Sequence, residues 1–161
     1  MTVNKSTEAA LIRRKAIWES MGETLYPTKR PLITLEQFFL HSAGEADLWY
    51  NIYPYPEDID QYDFHCSIRA RLEVWDVLIS ITQMDEEPIH AAPESVEKYH
   101  VEWPNSDHTL IVTRADEATI RSWFPSEVQP SEVTIGDWSD TAWGAPSFIP
   151  RGFHQAWLWY D

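Results

Sequence analysis

Four residues in the second half of the chain have the side chains of metal ligands: His90, His100, Glu102 and His108. Neutral imidazoles and a carboxylate can make a facial set around a divalent ion. Only His100 and Glu102 stand in a local relation, sharing one face if that segment is extended, and neither an HExxH run nor a Cys/His cluster accompanies them. The sequence therefore predicts no metal site. Asp58, Asp60 and Asp63 have part of the spacing of a calcium loop, but its glycine and terminal Glu are missing. Acids in the first turn of a helix are the expected reading, because the helix dipole favours negative charge there.

The nucleophiles are no better placed. Ser106-Asp107-His108 contains the three residue types of a hydrolase triad. Such triads assemble from separate segments, however, and no Gly-x-Ser-x-Gly elbow is present. Cys66 follows His65, but neighbouring helical positions point about 100° apart, so the imidazole cannot serve the thiol as a base, and a structural cysteine is expected. No GxGxxG run and no phosphate-binding glycine loop occurs, so no nucleotide cofactor is expected.

Charge says more than motifs do. Asp and Glu number 26 against 12 Lys and Arg, for a net charge of −14. DNA, RNA and anionic membrane surfaces all need Lys and Arg to displace counterions, so a nucleic-acid or membrane partner is not expected. A basic protein suits the field, and Asp85, Glu86, Glu87, Glu94 and Glu97, in an acidic loop over about 85–107, are the expected contacts. One cysteine cannot form an internal disulfide. Charges interrupt the apolar residues among the first fifteen, and no apolar run reaches the 18 or so residues of a membrane span. The expected compartment is the cytoplasm.

The elements that would position these residues can be traced by period. Leu, Ile, Val and Phe make up 37 of 161 residues, enough for a core. A capped helix is expected over 7–21 with Gly22 as its stop, and Thr34-Leu-Glu-Gln37 is a capping box that opens a short helix through Leu40. Residues 1–45 thus read as a helical extension packed on a domain of residues 46–161. Within the domain, strands are expected over 47–53, 75–82, 108–113 and 153–160, with helices over 57–71 and 116–123. The order β-α-β-β-α-β predicts an α+β, ferredoxin-like antiparallel sheet with both helices on one face. Trp75, Val77, Ile79 and Ile81 alternate with Asp76, Leu78, Ser80 and Thr82 and are expected on the buried side. Trp157 and Trp159 share one face of the last strand, and Trp49 and Tyr53 one face of the first; one of these sets offers a binding surface unless the leading helix or residues 125–152 cover that face of the sheet. Trp157 and Trp159 are taken as partner contacts, with self-association through the sheet as a further use of that face.

Three segments, Thr34-Leu-Glu-Gln-Phe-Phe39, Glu102-Trp-Pro104 with Ser106-Asp107, and the terminal Trp157-Leu-Trp-Tyr-Asp161, resemble landmarks of small acidic bacterial proteins without a characterised activity. Some proteins of that kind are similar to immunity proteins, which bind and block a toxin. The resemblance implies a bacterial origin and carries no catalytic residue across; the net charge of −14, the supply of Trp and Tyr and the lack of a coherent catalytic motif lead to the expectation of a non-catalytic binding protein, in its specific form an immunity protein. The alternative is an enzyme or small-molecule binder with an aromatic-lined pocket in which His100, Glu102 or His108 supplies the polar group.

Overall fold

The computed structural model describes residues 12, 15–22, 30–40, 46–82, 106–136 and 146–161. Its centre is a five-stranded antiparallel sheet in the order β1-β2-β3-β5-β4, formed by β1 (Leu32–Thr34), β2 (Val74–Ser80), β3 (His108–Thr113), β4 (Glu132–Gly136) and β5 (His154–Trp159). Residues 15–20 form the first helix, α1, and Gly22, at φ 74°, takes the left-handed conformation that ends it. A short π-helical turn spans Glu36–Leu40, followed by α2 (Gln61–Arg69) and α3 (Glu117–Ser122).

Local chemistry explains most of these boundaries. The capping box forms reciprocally: Thr34 N–H donates to Gln37 Oε1 at 2.8 Å, and Gln37 N–H to Thr34 Oγ1 at 3.1 Å. Asp60 and Asp116 cap α2 and α3 by accepting from the N–H groups of Asp63 and Thr119. Asp60 thus serves as the cap and Asp63 lies in the first turn, as expected of acids there. The expected helix over 57–71 is shorter at both ends, and its buried stripe runs through His65 and Ile68.

The sheet buries one face under α2 and α3. Ile33, Val77, Ile79, Ile111, Ala156, Leu158 and Val133 point to that side and pack with Ile68, Ile120, Phe124 and Trp49. Phe38 on the π-helical turn and Ile17, Trp18 and Met21 of the first helix and its end join the same core. Residues 15–22 and 30–40 are thus parts of one core with the later residues, and β1 is a strand of the sheet.

The α+β class and antiparallel pairing stand, but the arrangement departs from the ferredoxin-like order. Residues 47–53 form turns instead of a strand, while β1 and β4 lie where no strand is expected. Trp75 is a second correction. Val74 pairs with Thr113 and Asp76 with Val112, so Trp75 is the extra residue of a β-bulge. The bulge shifts the alternation by one: Val74, Val77 and Ile79 are buried, and Trp75 is 55% exposed. Among the described residues no helix is long and apolar enough to cross a membrane.

Candidate functional site

Of the expected partner contacts, Asp85, Glu86, Glu87, Glu94 and Glu97 lie outside the described residues, as do His90, His100 and Glu102. Trp157 sits on β5 between Leu110 and Thr134 and is only 5% exposed. Leu110, Val112 and Gln155 on the same face are buried with it, so this part of the sheet presents no indole to a partner. Trp159 is partly exposed. Its Nε1–H donates to Asp107 Oδ2 at 3.2 Å, and its ring stacks on His108 at 6.2 Å and 14°.

Asp107 also meets His108, with Oδ1 2.5 Å from Nδ1. Burial pushes the Asp107 carboxyl upward, but the hydrogen bonds and charge of His108, with the indole of Trp159, hold it below its usual value. Ser106 does not complete a triad. Its Oγ–H donates to the Ser80 carbonyl at 2.6 Å, and its Oγ accepts from His108 N–H at 3.2 Å, tying the start of β3 to β2. His65 and Cys66 also diverge. The imidazole packs among Phe39, Trp49 and Phe64, whereas Cys66 Sγ lies 3.6 Å from an Arg69 guanidinium nitrogen. Among the described residues no group of three or more His, Cys, Asp or Glu could hold a metal ion.

The surface best suited to recognition is built around the segment that breaks into turns. Trp49 is fully buried against Phe64, His65 and Tyr160, and anchors the segment to the core. Gln61, the first residue of α2, fastens the rest. Its Oε1 accepts from Leu48 N–H at 2.9 Å, and its Nε2 donates to Asp47 Oδ1 at 2.7 Å and to Tyr55 OH at 3.0 Å. Asp47 Oδ1 also accepts from Trp49 N–H. The backbone is held from inside while Tyr50, Tyr53 and Tyr55 turn outward; Tyr53 is 96% exposed. Pro54, after a cis peptide bond, and Pro56 supply no N–H that would need a sheet partner.

Beside these rings runs a groove of about 600 Å³ lined by Phe39, Leu40, Tyr55, Tyr62 and the acids Glu57, Asp58 and Asp60. Burial and the charge of Asp47 push the Tyr55 hydroxyl above its usual pKa, so it remains a protonated donor while accepting from Gln61. From Pro31 to Ile68 the sequence carries seven acids, Glu36, Glu45, Asp47, Glu57, Asp58, Asp60 and Asp63, and no Lys or Arg. Glu36 is neutralised by Arg69 through two hydrogen bonds, which hold its carboxyl down to about 2. Exposed carboxylates accept from ammonium and guanidinium groups, and tyrosine faces attract the same cations. That chemistry suits the recognition of a basic group. The missing basic residues over 31–68 were the available sequence signal, hidden by reading 47–53 as a strand.

Comparison with known proteins gives a lineage. The chain is 31% identical over 134 residues to "Uncharacterized protein YfbO" of Escherichia coli (strain K12), covering 83% of this chain and 85% of the relative. No solved structure was found to match. Residues 12–157 match the family described as "Uncharacterized protein YfbO family", and a match of that length, with the bacterial relative beside it, places the chain in the YfbO family.

Proposed function

We propose that the protein is a non-catalytic binding protein that receives a basic segment of a partner protein on the acidic, tyrosine-lined surface of residues 50–63. The observation that carries this reading is the combination there of three exposed tyrosines with Glu57, Asp58, Asp60 and Asp63, on backbone fixed by Gln61 and Trp49. Tyrosine is enriched among residues that dominate binding energy, and it loses little conformational entropy on contact. The net charge of −14 would draw a basic partner toward the whole molecule, and the acids at Asp85, Glu86, Glu87, Glu94 and Glu97 would add to that field. An immunity protein that masks a basic toxin in the bacterial cytoplasm is the specific form of this function we favour.

The test is site-specific capture. A photo-crosslinking residue placed at Tyr53 should trap a partner in cells of the native host, and the same residue at Glu127, exposed on another element, should not. The crosslinked peptide should contain Lys or Arg. Equal capture at both positions, or capture of acidic peptides, would refute the assignment of this surface.

A further inference from the structure

The face of the sheet opposite α2 and α3 carries a separate cavity of about 600 Å³, within the usual range for a small-molecule site. Its apolar floor includes Leu78 and Val112, and its wall is Trp75 and Phe148. The β-bulge at Trp75 gives this wall its form, because without the extra residue the indole would alternate into the core. Phe148 and Phe153 meet Trp75 edge to face, with ring centroids 6.4 Å and 6.0 Å away. A large aromatic is thus held partly exposed by two neighbouring rings at the rim of a cavity.

Two charged residues line the same space. Asp76 Oδ1 accepts from Val77 N–H at 2.8 Å, which fixes the plane of the carboxylate; among the described residues, Oδ2 has no hydrogen-bond donor. Arg30 also lines the cavity, and its guanidinium is under the influence of the Asp107 charge. Asp76 and Arg30 thus line the cavity with one charge of each sign, and the Arg69 charge also acts on Asp76.

We infer that this cavity binds a small molecule with a flat apolar ring and a protonated amine. The ring lies against Trp75 and Phe148, and the ammonium donates to Asp76 Oδ2. An indole bearing an aminoethyl group has this chemistry, and its oxidised counterpart bearing a carboxylate has the same ring with the opposite charge. The pair separates recognition of charge from adsorption of the ring.

The experiment titrates the full chain with tryptamine and with indole-3-acetate, read by calorimetry and by shifts of the indole N–H resonances. Tryptamine should bind saturably and indole-3-acetate at least ten-fold more weakly. Asp76→Asn keeps an oxygen for Val77 N–H and should weaken tryptamine at least ten-fold. Trp75→Ala, at an exposed position, should abolish saturable binding, and Trp75→Phe should retain part of it. No saturable tryptamine binding at millimolar concentration, equal or tighter binding of the acid, or unchanged affinity in Asp76→Asn would overturn the inference.

Discussion

The Nδ1 nitrogen of His65 lies 2.6 Å from the carbonyl oxygen of Gln61, one turn earlier in α2. A carbonyl oxygen can only accept, so Nδ1 carries the proton of the neutral ring, and Nε2 is left as a buried acceptor among aromatic rings. Burial lowers the pKa from 6.5 to about 4, against the opposing effect of the Gln61 carbonyl. The folded value lies below the unfolded one, so the unfolded chain takes up a proton first as pH falls. The neutral fold should be most favoured above pH 6.5, and His65 should withdraw about 3 kcal/mol of stability between there and pH 4. Denaturant melts of the wild type and of His65→Phe across this range check it. The difference in stability between the two should shift by that amount in favour of the variant; a constant difference would contradict it.

The bulge predicts opposite behaviour for two residues of one strand. Ile79 is fully buried against Ile33 and the helix layer, so Ile79→Ala should cost about 2–5 kcal/mol. Trp75, more than half exposed, should cost under about 1 kcal/mol as Trp75→Ala despite its larger side chain. Equal losses in chemical denaturation would mean that the alternation runs unbroken through Val74.

What could be read from the sequence follows from what was local. The capping box at Thr34 and Gln37, the Asp116 cap and the β-branched run of β3 each depend on residues within a few positions, and they form as expected. β1 and β4 were missed because strands of three and five residues have too few alternations to register. Residues 47–53 alternate convincingly, yet Trp49 is worth more as a core anchor than as one ring of a strand, and Asp47 and Gln61 satisfy the backbone that a ladder would otherwise serve. That last bond spans thirteen residues, and no periodicity reports it. The Trp75 bulge is likewise set by the partner strand β3. The acidic, aromatic character of the proposed binding surface was visible in composition, but its position was not.

Gln61 should be the most sensitive polar residue of the recognition surface. Gln61→Ala removes the acceptor for the N–H of fully buried Leu48 along with the bonds to Asp47 and Tyr55, and should cost about 1–3 kcal/mol. Gln61→Glu has a sharper signature. It keeps an acceptor for Leu48 but turns the bond to Asp47 into a contact between two carboxylates. Its loss at pH 7 should shrink as pH approaches 4, where one of the pair takes up a proton. Thermal melts of both variants at the two pH values distinguish these outcomes; a pH-independent loss in Gln61→Glu would rule out close approach to Asp47.

Binding of a basic partner should separate into two kinetic parts. Glu57 and Asp58 are exposed and precede α2, so they can be neutralised without disturbing the Asp60 cap. Long-range attraction weakens as salt shortens the Debye length from about 10 Å at 0.1 M to about 3 Å at 1 M. Replacing both, as Glu57→Gln with Asp58→Asn, should therefore slow association several-fold at low salt and much less at high salt, with little change in dissociation. Asp85, Glu86 and Glu87, if they contribute to the same field, should add to this effect and share its salt dependence. Tyr53 is nearly fully exposed and makes its contribution only after contact, so Tyr53→Ala should leave association within about two-fold and accelerate dissociation. As an interface hot spot it should cost about 2 kcal/mol or more at either ionic strength. Surface-bound kinetics with the captured partner at 0.1 M and 1 M salt measure both. If the acid replacements instead raise the dissociation rate at both salts, the carboxylates make direct paired contacts. If neither set changes either rate, the partner binds elsewhere, and residues 50–63 are not the recognition surface.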